Sequence, residues 1–220
     1  MKFNEEVALK TAEFLLQIKA IKLNNAHPFT WTSGRKSPIY CDNRVTLSYP
    51  VVRTFIRQQF VNIINDEFGT VELIAGVATG GIAQGVLVAQ DLGLAFAYVR
   101  SEEKKHGLSN QIEGVVHSGQ SVVVVEDLVS TGKSSLNVVR SLQDAGCNIK
   151  GMVAIFTYGL NIAEDSFKTA QLPLITLTDY NTLIKVAVEQ NYIKDDDLIS
   201  LNEWRENPEL WSDNKIKEGF

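Results

Sequence analysis

Residues 122–134 read V-V-V-V-E-D-L-V-S-T-G-K-S, and this stretch constrains the fold more than any other part of the chain. Four consecutive valines are typical of a strand buried on both faces of a parallel sheet, because β-branched side chains fit the pleat and nothing in the run is polar. Small residues follow, and apolar residues then recur every three positions up to Gly146, a suitable helix C-cap. The stretch therefore predicts a strand, a tight loop and a helix.

Two carboxylates, Glu126 and Asp127, follow the valines, and the predicted loop contains Ser130, Thr131 and Gly132. Backbone N–H groups at the start of a helix, together with the positive end of its dipole, can hold a phosphate. Carboxylates beside them can accept hydrogen bonds from sugar hydroxyls. We expect a phosphosugar site here, and the alternative is an ordinary strand-to-helix turn that happens to be acidic.

Two common nucleotide-binding motifs do not fit. The residues Gly132, Lys133 and Ser134 end like a P-loop, but that motif needs a glycine five positions before Gly132, where Asp127 stands. The chain also contains no G-x-G-x-x-G dinucleotide fingerprint. The expected ligand is therefore a phosphosugar rather than a nucleoside triphosphate or a dinucleotide.

Size and composition limit the remaining possibilities. With 220 residues, 45% of them hydrophobic, the chain can form one α/β domain with a full core but not a second catalytic domain. A formal net charge of -5 argues against nonspecific nucleic-acid binding. Cys41 and Cys147 lack metal-ligand spacing and are too few for a disulfide framework, which favours free thiols in a reducing compartment. The N-terminal region has no long apolar segment, so we expect no membrane span and a cytoplasmic protein.

Apolar periodicity predicts a helix from residue 5 to about 23 and another from 49 to about 65. Between them, residues 29–32 and 39–41 predict a hairpin around a Ser33-Gly34 turn. Strands are then predicted near residues 71–76, 94–99, 122–125, 149–157 and 172–177, alternating with helices. This order predicts one α/β domain over residues 1–220: a Rossmann-like, mainly parallel sheet with helices on both faces, a small N-terminal hood at 1–45 and a helical tail at 194–220.

Three loops should meet at the carboxyl edge of this sheet, where such folds bind ligands. The first is the loop after residue 125. The second, residues 77–81, contains Thr79, Gly80 and Gly81, so its backbone can approach an anion closely, although packing alone explains two glycines equally well. The third, residues 100–114, is long, polar and basic in part, which is typical of a lid over an anionic group.

The chain resembles a known enzyme family at three places. Residues 122–134 resemble the phosphoribosyl diphosphate (PRPP) motif of type I phosphoribosyltransferases. Residues 100–107, with Arg100, Lys104 and His106, are similar to the mobile catalytic loop of orotate phosphoribosyltransferases. Residues 29–40 are similar to that family's orotate-binding hairpin. The resemblance extends from about residue 5 to residue 189.

The resemblance implies Mg²⁺-dependent transfer of ribose 5-phosphate from PRPP to orotate in pyrimidine biosynthesis, in a homodimer whose 100–114 loop reaches the partner's site. It implies that PRPP contacts Thr79, Gly80, Gly81, Arg100, Lys104, His106, Glu126, Asp127, Leu128, Val129, Ser130, Thr131, Gly132, Lys133 and Ser134. Of these, Arg100, Lys104 and His106 would be catalytic. Orotate would contact Thr32, Arg35, Tyr40, Cys41 and Ser130. Magnesium would be held through PRPP, with Glu126 and Asp127 reaching it through water.

The sequence also departs from the family pattern. Thr32 and Gly80 stand where relatives often have lysine, and residues 156–159 contain no match for an arginine that some members have there. Arg35, Lys36 or backbone N–H groups are the candidates to hold the orotate carboxylate instead. A purine-base phosphoribosyltransferase and a non-catalytic PRPP-sensing regulator remain as alternatives.

Overall fold

The computed structural model describes residues 4–31, 33–100 and 111–219. Its strands are β1 (Ile21–Leu23), β2 (Phe29–Thr30), β3 (Lys36–Ser37), β4 (Ile39–Cys41), β5 (Leu73–Ala78), β6 (Ala95–Arg100), β7 (Ile112–Glu113), β8 (Ser121–Val129), β9 (Asn148–Thr157) and β10 (Leu174–Asp179). Its helices are α1 (Glu5–Gln17), α2 (Pro50–Glu67), α3 (Gly80–Leu92), α4 (Lys133–Asp144), α5 (Asn161–Thr169), α6 (Tyr180–Glu189), α7 (Asp197–Glu206) and α8 (Pro208–Lys217), with a 3-10 helix at Asn43–Ser48.

Within the described residues, six strands form the central sheet in the order β10-β9-β8-β5-β6-β7. Five of them are parallel, and β7 pairs antiparallel with β6 at the edge. The four valines of β8 are fully buried, as expected for a strand with covered neighbours on both sides. The predicted parallel α/β sheet is therefore confirmed, and the carboxyl ends of β5, β8 and β9 meet at one edge.

Helices cover both faces of the sheet. Val123 and Val125 belong to a core that includes residues of α1, α2, α3 and α6. Val122 and Val124 face the opposite way, into a core with residues of α4 and α5. Successive side chains of a strand point to opposite faces, so the four valines of β8 alternate between these two layers.

The strand β8 is longer than its apolar run. It continues through Glu126 and Asp127 to Val129, pairing with β9 up to Thr157. The two carboxylates therefore lie on the strand and not in the loop after it, because the backbone ladder with β9 continues past the last valine.

The first helix ends earlier than its apolar pattern predicted. Helix α1 ends at Gln17, and Lys19 has a left-handed backbone with φ of 57°. Residues 21–23 then form β1 instead of another helical turn. The predicted extension to residue 23 is wrong because periodicity alone does not distinguish a short buried strand from the end of a buried helix.

The hairpin is confirmed, but its second strand is not the predicted one. Strand β2 pairs with β3 around the turn at Ser33 and Gly34, and Gly34 takes a φ of 84°. Strand β4 pairs instead with β1. A two-residue β3 followed by Pro38 gave no apolar run from which its pairing could be read, whereas residues 39–41 did.

The C-terminal helices α7 and α8 pack back onto the N-terminal region. Trp204 is fully buried in the same core cluster as residues of α1 and α6, and Trp211 belongs to it as well. The part of the chain that the structure describes contains no helix long and apolar enough to cross a membrane. The predicted helical tail at residues 194–220 thus consists of two short helices attached to the core.

Candidate active site

The carboxylates Glu126 and Asp127 are neighbours on β8, and their side chains lie close enough to hydrogen-bond to each other. Glu126 turns toward α4, where its Oε2 accepts a hydrogen bond of 2.8 Å from Ser135 Oγ. Its Oε1 accepts one of 3.0 Å from the Asp127 backbone N–H. Glu126 is only 4% exposed, and burial together with the negative charge of Asp127 raises the pKa of Glu126 well above its usual value.

Asp127 turns toward α3 and toward the N-terminal hood. Its backbone carbonyl accepts a hydrogen bond of 2.6 Å from Asn43 Nδ2 in the 3-10 helix. Burial raises the pKa of the Asp127 carboxyl, although hydrogen bonds and the nearby Arg44 act in the opposite direction. The result is one enclosed carboxyl and one partly buried carboxyl at the mouth of the site.

A cavity of about 330 Å³ opens at this sheet edge, within the size range of small-molecule sites. It is lined by Val77, Ala78, Thr79, Gly80, Glu126, Asp127, Leu128, Ser130, Thr131, Gly132 and Ser134. A larger groove of about 1130 Å³ between α4 and α5 contains Thr131 but neither of the two carboxylates. The smaller cavity is therefore the candidate active site, and it brings together two of the three predicted loops.

The loop after β8 has the geometry of an anion site. Gly132 has a φ of 79°, a conformation that L side chains rarely adopt, and it is the N-cap of α4. A side chain at Gly132 would also clash with Phe167 of α5. The first backbone N–H groups of a helix have no partner within the helix, so the start of α4 presents donors to the cavity.

The loop between β5 and α3 packs tightly against β8. A methyl group added at Gly80 would collide with the Asp127 carboxylate, and one at Gly81 with the Val125 carbonyl oxygen. Packing thus requires both glycines, which is the alternative to anion binding that the sequence left open. The same close approach puts the loop backbone beside Asp127 in the cavity, so packing and anion binding are compatible here.

The third loop is described only at its two ends. Arg100 is the last residue of β6, and its Nη2 lies 2.6 Å from Glu113 Oε1 of β7. The Arg100 backbone N–H donates to the Gln111 carbonyl at 3.0 Å. The predicted catalytic residues Lys104 and His106 lie outside the described residues.

The hood carries an aromatic residue and a thiol at adjacent positions of β4. Tyr40 is 39% exposed and its ring centroid lies 5.7 Å from that of Phe29. Cys41 Sγ donates to Asn43 Oδ1 at 3.3 Å, and burial raises the pKa of the Cys41 thiol, with Asp127 and Asp42 adding to the shift. Asn43 therefore connects the predicted orotate residues to Asp127.

The basic residues of the hairpin already have partners. Arg35 Nη2 lies 2.5 Å from Glu209 Oε1 on α8, and Lys36 Nζ donates to Thr30 Oγ1 at 2.9 Å. Thr32, the remaining predicted orotate contact, is outside the described residues. Residues 156–159 contain no arginine, but Arg205 of α7 donates to the Gly159 carbonyl at 3.2 Å.

Sequence reasoning missed three residues that shape the site: Asn43, Arg44 and Ser135. Asn43 and Arg44 follow Asp42, whose side chain accepts the Arg44 backbone N–H at 3.2 Å and forms an ion pair with the Arg44 guanidinium at 2.7 Å. An Asp-Asn-Arg sequence after a hairpin signals such a cap, but not its distant contact with Asp127. Ser135 gave no signal beyond its place in the first turn of α4.

The donor set fits a magnesium ion that is held mainly by its substrate. Both carboxylates line the cavity, but Glu126 is buried and already accepts two hydrogen bonds, whereas Asp127 is partly exposed. Among the described residues, no three His, Cys, Asp or Glu side chains are grouped closely enough to hold a metal by themselves. Mg²⁺ in proteins is commonly bound by one or two carboxylates together with substrate phosphates.

Comparison with known proteins identifies the family. Residues 52–183 match the family described as "Phosphoribosyl transferase domain". The orotate phosphoribosyltransferase of Bacteroides fragilis is 54% identical over 204 residues, which cover 93% of this chain and 96% of that protein. The chain belongs to the orotate phosphoribosyltransferase family. The protein of the same name from Cytophaga hutchinsonii is 52% identical over 96% of this chain and 99% of its own length.

Solved structures of the orotate phosphoribosyltransferase family share the fold. The Aeropyrum pernix orotate phosphoribosyltransferase superposes with a TM-score of 0.72 at 25% identity, covering 83% of this chain and 99% of that one. The resemblance inferred from three short motifs is thus confirmed over nearly the whole chain, as is the type I phosphoribosyltransferase fold.

Proposed function

We propose that this protein is an orotate phosphoribosyltransferase of pyrimidine biosynthesis. The C1′–O bond to diphosphate in PRPP breaks, a bond forms from C1′ to N1 of orotate, and the N1 proton leaves to solvent. The observation that carries this function is the cavity at the end of β8, where two carboxylates and a phosphate-binding loop meet in a chain that belongs to this family.

We assign the parts of PRPP to three sides of this cavity. The 5′-phosphate lies against Ser130, Thr131, Gly132, Lys133 and Ser134 at the start of α4, where backbone N–H groups and the helix dipole favour an anion. The ribose hydroxyls donate to Glu126 and Asp127, beside the backbone of Leu128 and Val129. The diphosphate lies over Thr79, Gly80 and Gly81, whose lack of side chains at two positions permits close approach.

The proposed cofactor is Mg²⁺, held through PRPP with Asp127 and Glu126 contacting it through water. The ion neutralises the charge that builds up on the departing diphosphate. Since Glu126 is enclosed by Ser135 and the Asp127 backbone, it positions the pair, and Asp127 is the carboxylate open to the ligand.

The proposed mechanism needs no protein nucleophile. Breaking the C1′–O bond leaves positive charge on the ribose and negative charge on diphosphate, so catalysis consists of stabilising separated charges in a site closed from water. We assign that closure to the 100–114 loop, with Arg100, Lys104 and His106 facing the diphosphate. The paired strands β6 and β7 hold the two ends of this loop together.

The proposed base site lies under the hood. Tyr40 stacks on the orotate ring, and Cys41, Thr32, Arg35 and Ser130 contact its edge. Supporting this, Tyr40 is exposed next to Cys41, which is joined through Asn43 to the carbonyl of Asp127. The negative charge of Glu209 reduces the net charge of the Arg35 region, so backbone N–H groups remain candidates for the orotate carboxylate.

The proposed organisation is one domain over residues 1–220, with the hood at 1–45 and the helical tail at 194–220. We further propose a cytoplasmic homodimer in which the 100–114 loop of each subunit closes over the partner's site.

The deciding experiment follows the ultraviolet absorbance of orotate after addition of PRPP and Mg²⁺, with hypoxanthine and adenine as parallel substrates. Loss of orotate absorbance, dependent on PRPP and abolished by EDTA, is expected. Turnover of hypoxanthine or adenine in place of orotate would favour a purine-base enzyme. PRPP binding with no turnover of any base, together with a salt-sensitive gel shift, would favour a regulator.

A further inference from the structure

The tail helices α7 and α8 contact the N-terminal hairpin from one side. Ser212 Oγ on α8 accepts a hydrogen bond of 2.9 Å from the Lys36 backbone N–H of β3. Ser212 is 2% exposed, so this bond is shielded from water. One turn earlier on the same helix, Glu209 forms the ion pair with Arg35. Two consecutive hairpin residues are therefore held by one face of α8.

The tail holds the approach to the hairpin as well. Asn25 Nδ2 donates to Asp197 Oδ1 at 3.2 Å, and Ser200 Oγ donates to Asn25 Oδ1 at 2.8 Å. Trp211 Nε1 in turn donates to Ser200 Oγ at 2.9 Å, which joins α8 to α7. Asn25 precedes β2 by four residues, so the tail holds the chain both before the first hairpin strand and at the start of the second.

Aromatic packing completes this contact. The Trp31 ring stacks on Tyr158 with centroids 5.9 Å apart and meets Trp204 of α7 edge-on at 6.1 Å. Trp204 also packs against Tyr158 at 5.3 Å and against Tyr180 at 5.5 Å. Trp31 lies between β2 and the turn, so the tail fixes the hairpin at its tip as well as at its base.

Most partners of the tail lie in the hairpin or just before it, and the other two, Tyr158 and Tyr180, follow β9 and begin α6. Outside the tail itself, the hydrogen bonds, ion pair and ring contacts described for Ser212, Glu209, Ser200 and Trp204 go to residues 25, 31, 35, 36, 158 and 180. None of these partners lies in the PRPP loops at 78–81 or 126–134. After the hairpin, Tyr40 and Cys41 follow in the chain. Cys41 is joined by a hydrogen bond to Asn43, which donates to the carbonyl of Asp127.

We infer that α8, through Ser212 and Glu209, positions the hairpin that carries the base and thereby sets affinity for orotate independently of affinity for PRPP. This inference rests on the proposed function, since it assigns a role within the same site. Ser212 and Glu209 are positioning residues: they act through the backbone of Lys36 and the side chain of Arg35. An exposed ion pair such as Arg35 and Glu209 adds little to the free energy of unfolding. We therefore expect its loss to change the position of the hairpin rather than the stability of the protein.

The test compares Ser212→Ala and Glu209→Gln with Asp213→Asn. Asp213 is an exposed residue of the same helix, and its change removes the same charge as Glu209→Gln. We expect Ser212→Ala to raise the KM for orotate about fivefold, because a displaced hairpin misplaces the base. We expect Glu209→Gln to raise it about twofold, because loss of the hairpin contact outweighs the attraction of the freed Arg35 charge for the orotate carboxylate. The KM for PRPP and all values for Asp213→Asn should stay within experimental error of wild type.

A second measurement separates positioning from a merely structural contact. Hydrogen exchange of the amides at 29–37 should accelerate in Ser212→Ala. Faster exchange with an unchanged orotate KM, or a parallel rise in both KM values, would overturn the inference. If Ser212→Ala is too unstable to assay, the surface substitution Glu209→Gln is used instead. It should raise the KM for orotate and leave the KM for PRPP unchanged. A wild-type protein that does not turn over orotate would instead refute the proposed function.

Discussion

The two carboxylates on β8 are neighbours in sequence but have different environments. Both line the cavity, but Glu126 is buried and hydrogen-bonded to Ser135 and to the backbone of Asp127, while Asp127 is partly exposed. An enclosed carboxyl with a raised pKa costs folding free energy once it must ionise. Residues that lower stability in this way are typical of functional sites.

We therefore predict that Glu126→Gln stabilises the protein relative to wild type, and that this difference in the free energy of unfolding grows as the pH rises. In the folded protein, the raised pKa of Glu126 keeps its proton at pH values where the unfolded chain has already lost it, above about 4.3. Wild-type stability thus falls with rising pH through this group, whereas glutamine has no proton to lose. The difference between their unfolding midpoints should widen as the pH rises above about 4.3, until Glu126 also ionises in the folded protein. A constant difference would contradict the prediction; turnover should fall in the variant at every pH.

The two glycines of the β5–α3 loop should respond differently to alanine. Gly81→Ala forces a methyl group against the Val125 carbonyl of a central strand, so we expect a loss of about 2 kcal/mol in the free energy of unfolding. Gly80→Ala displaces the Asp127 carboxylate instead. There we expect kcat/KM for PRPP to fall about tenfold, with a smaller loss of stability. Urea unfolding and steady-state kinetics on both variants check this, and equal stability losses would refute it.

At the scale of elements, the sequence predicted the sheet well because each strand is an apolar run bounded by polar or small residues. The sequence predicted strand ends and strand partners less well, because these depend on pairing with other strands. Strand β8 extends past its valines because β9 continues alongside it, and β4 pairs with β1 because α1 ends at Gln17. Likewise the contact of Asn43 with Asp127 spans 84 residues, a distance over which a single sequence carries no pairing information.

The 100–114 loop gives the next prediction. Its described ends are held together by the β6–β7 ladder, and the proposed mechanism assigns the cations between them to closure over the diphosphate. We expect Lys104→Ala to lower kcat/KM by about 100-fold, on the scale of losing one preorganised charge contact of roughly 3 kcal/mol. The neighbouring Lys105→Ala is the matched control and should stay within a few-fold of wild type. Near wild-type turnover by Lys104→Ala would refute the assignment of this loop as the lid.

At the scale of the whole molecule, the proposed dimer predicts complementation. Lys104→Ala and Asp127→Asn should each be almost inactive. If the loop serves the partner's site, co-expressing the two with different tags produces mixed dimers that contain one complete site. Up to about a quarter of wild-type activity should then return, because half of the dimers are mixed. Mixed dimers purified through both tags that remain inactive would show that each loop closes over its own subunit.

The contact between the hairpin and α8 also has a consequence for how the chain folds. Lys36 and Ser212 are 176 residues apart, and the ribosome delivers the N-terminal partner long before the other. The strands and helices around the phosphate loop can form while the chain is still being synthesised. The hairpin reaches its final place only after α8 has been made, so the base half of the site is the last part to assemble.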